Sequence, residues 1–307
     1  MKIINLEPSF FSTKAKKQLK KNFIYTEYKE EREDFAKLIN KIKNQDIIIS
    51  RFKYKFNKKN LSKCKKLKII ISASTGLDHL DLNYLKKKRI KIYSLKGQKK
   101  FLNSIKSSSE HTWALLLSLA KNIPSANTSV RNFLWNRYLF LNHNLYKKKI
   151  GIVGMGRNGK NIKKYAKAFD MKIFTFDKND NINKLRNIFK ICDFVTLTIE
   201  LNNRTKHIIN QKLFNLVKKK FFLVNTSRAE IINQKDLLKS LKINKNLHFA
   251  SDFLEFKNGD FTNTSKKIIK LSKNSRILIT PHIAGAALES LNRCEEFLVN
   301  QLIKNEK

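Results

Sequence analysis

The chain has 307 residues, 41% of them hydrophobic, and a formal net charge of +41 at pH 7. This length predicts one large or two medium domains, each with a packed core. The excess charge comes mostly from Lys spread along the whole chain, and no nucleic-acid-binding signature accompanies it, so a specific nucleic-acid binder is not the favoured class.

The cysteines and the apolar runs indicate in which cellular compartment the protein is expected. Cys64, Cys192 and Cys294 lie far apart and form neither a CxxC pair nor an even disulfide set, which is typical of a reducing cytoplasm. The N-terminal segment lacks the apolar core of a signal peptide, and no apolar run approaches the roughly 18 residues of a membrane span. We therefore expect a soluble, cytoplasmic protein with no membrane partner.

Short apolar runs alternate with helix-like segments over the first hundred residues. The runs have the composition of strands, and several are rich in β-branched residues: 2–6, 23–28, 46–50, 68–74 and 89–95. Between them, residues 13–22 and 32–42 have the polar and apolar spacing of helices. Alternation of this kind predicts a parallel sheet.

A long apolar helix is predicted next, over 107–123, with Ser108 or Ser109 as its N-cap and Pro124 marking its end. Six further strand-like runs follow, separated by helix-length segments: 149–155, 172–177, 193–199, 221–227, 247–253 and 276–282. This is the pattern of a doubly wound dinucleotide-binding sheet. The tail, residues 288–305, has the spacing of a final amphipathic helix.

A glycine-rich turn lies between the first of these six runs and its helix. Gly154, Gly156 and Gly159 form a GxGxxG motif, with Arg157 and Asn158 inside it. The first glycine allows the tight turn, the second lets the backbone approach a pyrophosphate, and the third lets the helix pack closely. The helix N-terminus would supply N–H donors to the phosphates. These five residues are the predicted cofactor phosphate site.

Asp177 ends the next strand-like run, 18 residues after Gly159. An acidic residue at this place bonds the adenosine ribose hydroxyls and would repel a 2′-phosphate, which favours NAD over NADP. Lys172 and Lys178 lie close in sequence and weaken that preference. The alternative is a glycine-rich turn in a different α/β protein, with Asp177 as a cap at the strand end.

Three downstream strand-like runs are each followed by a polar side chain: Arg228, Asp252 and His282. Ligands of an open α/β sheet bind at the carboxyl ends of its strands, so these three side chains are expected to converge on one cleft. Taken singly, each has a structural explanation: an Arg paired with a surface carboxylate, an Asp capping a helix, and a buried His bonded to backbone.

Five segments in the correct order resemble the D-isomer-specific 2-hydroxyacid dehydrogenase family, which includes D-3-phosphoglycerate dehydrogenase. They are STGLDHLD (74–81), EHTWALLLSLAKNIP (110–124), VGMGRNG (153–159), VNTSRAEIINQKDL (224–237) and TPHIAGA (280–286). The resemblance covers roughly residues 68–290. It implies a two-lobed α/β protein with a Rossmann-type doubly wound parallel sheet for NAD and a smaller flavodoxin-like α/β substrate lobe.

The resemblance also implies roles for the site residues. His282 would be the general acid and base, for which the ordinary histidine pKa near 6.5 is suitable. Arg228 would bind the 2-oxo acid and polarise its carbonyl, and Asp252 would hydrogen-bond the nicotinamide carboxamide. Further cofactor contacts are expected from Thr226, Ser227 and Gly285. The substrate carboxylate is expected on the loop of Ser74, Thr75, Gly76 and Leu77.

One departure concerns the acid that pairs with the histidine in this family. That Glu usually lies five residues after the Asp and just before a Pro, but here Lys257 and Asn258 occupy the two places. The nearest acid is Glu255. Glu255 would substitute through a shifted loop as a third catalytic residue, His282 would work without a carboxylate, or the protein would be catalytically impaired.

The predicted substrate lobe is residues 1–97 completed by 283–307, and the predicted NAD lobe is residues 98–282. The apolar helix 110–123 and the region around Trp135 are candidates for the contact of a homodimer, with core packing as the alternative. No metal site is predicted.

Three functions compete at this point. The favoured one is an NAD-dependent oxidoreductase acting on a small anionic 2-hydroxy or 2-oxo acid, such as 3-phosphoglycerate. The second is a non-catalytic NAD-binding sensor or corepressor-like protein on the same fold, suggested by the missing Glu. The third, a nucleic-acid binder, is suggested by charge alone.

Overall fold

A computed structural model describes the chain over residues 1–28, 35–217, 219–257, 260–273 and 276–306. The chain divides into two compact units, the first formed by Met1–Ile105 with Ala286–Lys307 and the second by Lys106–Gly285. Each unit is built on a parallel β-sheet with helices between the strands. This architecture confirms the predicted fold class.

The first unit contains five parallel strands: β1 Lys2–Asn5, β2 Ile24–Glu27, β3 Ile47–Ile49, β4 Ile69–Ser72 and β5 Lys91–Ser94. Their order across the sheet is β2-β1-β3-β4-β5. Along β3, Ile47 and Ile49 belong to one buried cluster and Ile48 to another, so both faces of the sheet are packed. Burial on both faces explains the continuous β-branched runs in the sequence.

The helices of the first hundred residues are α1 Thr13–Asn22, α2 Phe35–Ile42, α3 Lys58–Leu61, α4 Leu82–Lys87 and α5 Lys99–Leu102. The predicted helix at 13–22 is confirmed, and Ser12 caps it by accepting a hydrogen bond from Ala15 N at 3.3 Å. Residues 32–34 of the second predicted helix lie outside the described residues.

The second unit contains the strands β6 Lys149–Val153, β7 Lys172–Phe176, β8 Phe194–Leu197, β9 Phe221–Asn225, β10 Leu247–Ser251, the short antiparallel pair β11 Phe256–Lys257 and β12 Asp260–Phe261, and β13 Ile277–Ile279. Apart from that short pair, they form one parallel sheet in the order β13-β10-β9-β8-β6-β7. All six predicted strands are confirmed. The order reverses at β6, and open α/β sheets bind ligands at such a switch point.

The helices of the second unit are α6 Ser107–Ala120, α7 Ile123–Arg131, α8 Arg157–Ala168, α9 Ile182–Ile191, α10 Gln211–Phe214, α11 Gln234–Ile243 and α12 Asn263–Leu271. Short 3-10 turns lie at Arg137–Phe140 and Ala229–Ile231.

The long apolar helix begins at Ser107 as predicted, but its predicted end and N-cap were wrong. Helix α6 ends at Ala120, and Pro124 lies in the first turn of α7 instead of after a helix end. Proline is favoured there because the first turn does not use its missing N–H. The N-cap is Lys106, without a side-chain cap, and Ser109 lies inside the helix with its hydroxyl donating to Lys106 O at 2.7 Å.

Helix α6 lies in the core of the second unit. Leu116 and Ala120 have no exposed surface, and they belong to the same buried cluster as Ile150 and Ile152 of β6. Core packing within the unit therefore explains the apolar character of this helix, and it does not indicate a dimer contact.

Helix α13, Leu288–Glu306, closes the chain and belongs to the first unit. Its Glu295 is only 2% exposed and accepts hydrogen bonds from Ser12 N at 2.7 Å and from Arg51 Nε at 3.1 Å. Burial raises the pKa of this carboxyl, although the Arg51 charge opposes that effect. The ion pair with Arg51 links α13 to the segment after β3, and the hydrogen bond from Ser12 N links it to the N-cap of α1. None of the helices within the described ranges has the length and apolar character that crossing a membrane requires.

A buried histidine in β10 predicts acid sensitivity. His248 is 7% exposed, packs on the Phe222 ring at 4.6 Å, and neither ring nitrogen has a hydrogen-bond partner among the described residues. Burial, together with the charges of Lys220 and Arg276, lowers its pKa to about 4. The unfolded chain, with a histidine pKa near 6.5, binds more protons between these two values. The free energy of unfolding must therefore fall as the pH drops from 6.5 toward 4.

We expect proton uptake by His248 in the unfolded chain to lower the free energy of unfolding by about 2 kcal/mol between pH 7 and pH 5. Urea denaturation of the wild type and of His248→Phe at both pH values measures it, because the phenylalanine cannot take up a proton. The variant should lose less stability than the wild type on acidification. An equal loss in the two proteins would show that His248 is not the group responsible.

Candidate active site

The glycine-rich turn joins β6 to α8. Gly154 has φ +101°, a backbone conformation that side chains disfavour. A Cβ there would lie 2.5 Å from Ile199 N and 2.6 Å from Ile199 Cα, both in the segment after β8. Thr198 Oγ1 donates to Gly154 O at 2.8 Å. The first glycine is therefore required both by the turn and by the close approach of the neighbouring strand end.

The other two glycines differ from each other in their surroundings. A Cβ on Gly159 would overlap the carbonyl oxygen of Gly154, so only glycine lets α8 begin this close to the turn. A Cβ on Gly156 would have no heavy atom within 4 Å. Gly156 is the N-cap of α8, so open space lies at the start of this twelve-residue helix. The turn thus fits a dinucleotide pyrophosphate bound by backbone N–H groups.

The remaining residues predicted for the cofactor side occupy the same region. Arg157 and Asn158 are half-buried in the first turn of α8, and Asn158 Oδ1 is buried with no hydrogen-bond partner among the described residues. Asp177 follows the last residue of β7, and its Oδ1 accepts from Lys178 N at 2.9 Å. Lys172 begins the same strand, so its backbone lies roughly 16 Å from that of Asp177.

Arg228 follows β9 in a loop organised by Asn225. Asn225 is fully buried; its Oδ1 accepts from Ser227 N at 3.0 Å and its Nδ2 donates to Arg228 O at 2.9 Å. Thr226 Oγ1 lies 2.6 Å from Thr112 Oγ1 of α6, and the Ser227 hydroxyl donates to Ile199 O. Arg228 Nη1 donates to Ser227 O at 2.8 Å. The loop therefore presents the arginine at the carboxyl end of the sheet.

Asp252 follows β10 and is 1% exposed. Its Oδ1 accepts from Thr280 Oγ1 at 2.6 Å and from Ile283 N at 2.8 Å, and its Oδ2 accepts from Ala284 N at 2.8 Å. Burial alone raises the pKa of Asp252, but the hydrogen bonds from His111, Thr280 and the two N–H groups outweigh it and lower the pKa. This ionised carboxylate fixes the loop that carries His282.

His111 on α6 completes this network. The Thr280 hydroxyl donates its only proton to Asp252, so Thr280 Oγ1 can only accept at its 3.1 Å contact with His111 Nε2. His111 therefore carries a proton on Nε2, which also lies 3.5 Å from Asp252 Oδ1. The buried carboxylate is thus linked to both α6 and the loop after β13.

His282 lies at the surface of the second unit with φ +56°. Its N–H lies 3.1 Å from both Asp252 O and Thr280 O. Its ring is 4.3 Å from the ring of Phe253, and Arg228 Cζ lies 5.2 Å from that same ring. The structure thus brings the predicted residues Arg228, Asp252 and His282 together. Gly285, which is predicted to contact the cofactor, is exposed. A Cβ added to this glycine would have no heavy atom within 4 Å.

The loop predicted for the substrate carboxylate belongs to the first unit and follows β4. Ser74 is buried, and its hydroxyl donates to Gly76 O at 2.8 Å and lies 2.9 Å from Ser72 Oγ. Thr75 is exposed, whereas Gly76 and Leu77 are half-buried. The loop therefore has a buried serine at its base and an accessible backbone at Thr75.

Comparison with known proteins identifies the family. Residues 113–284, more than half of the chain, match the family described as D-isomer specific 2-hydroxyacid dehydrogenase, NAD binding domain. Over 87% of its length, the chain is 32% identical to a D-3-phosphoglycerate dehydrogenase of Methanocaldococcus jannaschii. This chain belongs to the D-isomer specific 2-hydroxyacid dehydrogenase family. The predicted family is confirmed, and with it the NAD cofactor and the oxidoreductase class that characterise this family.

Other members of the family resemble the chain over nearly all of its length. It is 27% identical to a glyoxylate reductase of Pyrococcus furiosus, over 97% of this chain and 92% of that protein. A D-lactate dehydrogenase from Aquifex aeolicus, solved with NAD and lactic acid, is 25% identical with a TM-score of 0.82, over 99% of this chain and 94% of that one. In contrast, the chain spans only 51% of the Methanocaldococcus jannaschii enzyme.

The chain departs from the family pattern at the position of the acid that usually pairs with the histidine. Lys257 lies exposed in β11, and Asn258 is outside the described residues. Glu255 is half-buried, and its backbone carbonyl accepts from Thr262 N at 3.2 Å and Ser265 Oγ at 2.9 Å. Within the described ranges, the Glu255 carboxylate makes no hydrogen bond or ion pair, and its pairing with His282 stays a prediction.

Sequence reasoning gave no role to four residues that organise this candidate site. Asn225 could have been found, because an Asn at a strand end often bonds the backbone of the turn that follows. His111, Thr280 and Phe253 had no such local signal, since their partners come from distant parts of the sequence.

Proposed function

We propose that this chain transfers hydride between NAD and a small D-2-hydroxy acid or 2-oxo acid, with His282 as acid and base and Arg228 as the substrate-binding cation. The observation that carries the proposal is the shared contact of these two side chains with Phe253, at the carboxyl edge of the nucleotide-binding sheet. An acid and base beside a fixed guanidinium is the combination that carbonyl reduction of an anionic substrate requires.

The proposed chemistry assigns one task to each group. NAD, when bound, supplies the hydride acceptor, and NADH the hydride donor. His282 donates a proton to the carbonyl oxygen during reduction and takes it back during oxidation, and its exposure allows exchange with solvent. Arg228 binds the substrate by charge-assisted hydrogen bonds and polarises its carbonyl.

Asp252 is assigned a cofactor role in the same proposal. Its Oδ2 accepts one hydrogen bond from the described residues, from Ala284 N at 2.8 Å, and would accept a second from the nicotinamide carboxamide. The backbone of the 74–77 loop in the first unit would bind the substrate carboxylate.

The substrate class is proposed as a short anionic 2-oxo acid. The net charge of +41 raises the local concentration of any anion, so it favours acids without selecting one. The test mixes the protein with NADH and glyoxylate, pyruvate, hydroxypyruvate or 3-phosphohydroxypyruvate and follows the absorbance of NADH. Turnover of at least one acid is expected.

A second candidate function follows from Lys257 and from the Glu255 carboxylate, which has no hydrogen bond or ion pair among the described residues. A protein that binds NADH but turns over none of a broad panel of 2-oxo acids would be a sensor or corepressor-like member of the family. Measuring NADH binding by fluorescence alongside the turnover assay separates the two functions. The nucleic-acid hypothesis gains no support beyond the charge.

We also propose that the protein is a cytoplasmic homodimer. The segment 130–141 exposes seven large apolar side chains: Phe133 (97%), Trp135 (89%), Tyr138, Leu141, Leu139, Leu134 and Val130. A monomer rarely exposes so many adjacent apolar side chains, and a second copy of the same surface would bury them.

Light scattering after size exclusion tests this prediction. We expect the wild type to have twice the mass of the chain, and Trp135→Glu to lower the dimer affinity at least tenfold, because a charge would be buried in the contact. Phe10→Glu is the matched control, since Phe10 is 79% exposed but lies in the first unit. A monomeric wild type at 100 µM, or equal effects of the two variants, would contradict the prediction.

A further inference from the structure

The ring of Phe253 contacts both side chains to which the chemistry is assigned. Its centroid lies 4.3 Å from that of the His282 imidazole, with 49° between the ring planes. The guanidinium carbon of Arg228 lies 5.2 Å from the same centroid. The hydride-transfer proposal assigns no task of its own to Phe253, although this ring is a common contact of its two main groups.

The backbone around Phe253 is fixed by buried polar groups. The hydroxyl of Ser251, which has no exposed surface, donates to Phe253 O at 2.7 Å and accepts from Phe253 N at 3.1 Å. The backbone N–H of His282 lies 3.1 Å from the carbonyl oxygen of Asp252, the residue before Phe253. The end of β10 therefore fixes the ring and the histidine relative to each other.

The chemistry of this contact favours cations. An aromatic face attracts a guanidinium, which is always charged, and an imidazolium once the histidine has taken up a proton. Among the described residues, Asp252 and His111 are titratable groups that contact this loop, and the Asp252 carboxylate already binds Thr280 and two backbone N–H groups of the loop. The aromatic contact thus favours the charged forms of both side chains.

We propose that Phe253 is a positioning residue: its ring holds Arg228 and His282 in the orientation used for substrate binding and proton transfer, and it stabilises the protonated imidazole. The inference rests on the proposed function for the roles of these two side chains. The contacts with the ring are independent of any turnover.

The test replaces Phe253 with Leu, which removes the aromatic face but remains apolar. We expect the pKa of His282, followed by the NMR signal of its Cε1–H, to fall by about half a unit. His282→Asn assigns the signal. We also expect KM for the 2-oxo acid to rise roughly threefold to tenfold because Arg228 loses its packing, and Phe253→Tyr to restore both values. If the Leu variant does not fold, Phe253→Met removes the ring with less loss of volume.

Two further variants make the result specific. Phe256→Leu makes the same chemical change at an exposed ring that contacts Phe261, and it should leave the His282 titration unchanged. Glu255→Gln tests the nearest alternative acid. An unchanged His282 pKa in Phe253→Leu, or a fall in Glu255→Gln alone, overturns the proposal. Because the titration needs no substrate, a protein that turns over no 2-oxo acid but shows the shift would reject the proposed function and retain the positioning role.

Discussion

Replacing His282 with Asn is expected to lower kcat for reduction of the best 2-oxo acid by about 10²–10⁴-fold, because the amide cannot deliver a proton to the carbonyl oxygen. Asparagine tolerates the positive φ of +56° at this position, so the loop should keep its conformation. Steady-state kinetics give kcat and KM, and NADH fluorescence gives the cofactor affinity, which we expect to stay within a factor of about three.

The matched control for this variant is His207→Asn. His207 is half-buried in the same unit and has φ +55°. The substitution therefore replaces the same side chain at a backbone conformation like that of His282. We expect it to keep the wild-type kcat. If His282→Asn retained more than a tenth of the wild-type kcat, the acid and base would have to be another group.

Replacing Gly159 with Ala is expected to destabilise the second unit by about 1–3 kcal/mol and to weaken NADH binding more than tenfold. The added methyl group would overlap the carbonyl oxygen of Gly154, which is backbone and cannot move aside without opening the turn. Thermal unfolding measures the stability and fluorescence titration measures the affinity.

Gly156→Ala separates the two effects. A Cβ at Gly156 has no heavy atom within 4 Å and its φ of −67° suits any residue, so stability should change by less than about 0.5 kcal/mol. NADH binding should still weaken, because the methyl group would occupy the space into which the pyrophosphate approaches. Wild-type NADH affinity in Gly159→Ala would refute the assignment of this turn to the cofactor.

Local patterns explain how much of the architecture was predictable. Runs such as Ile47–Ile49 and Phe221–Asn225 are buried on both faces of their sheets, so the apolar pattern alone marks them as strands. The glycine spacing before α8 was equally informative, since Gly154 and Gly159 occupy places that no side chain could. The limits of α6 were less predictable, because proline suits both the residues after a helix and the first turn of the next one.

The site was only partly predictable, because its members meet through tertiary contacts. The sequence determined the strands, the cofactor turn, and the candidates Arg228, Asp252 and His282, since each is defined by neighbours along the chain. Only the tertiary structure decided that Asp252 holds the loop of His282, that His111 and Thr280 join it, and that Phe253 contacts Arg228 and His282. Such contacts depend on how the ends of parallel strands pack side by side, and residues far apart in sequence carry no local signal of that packing.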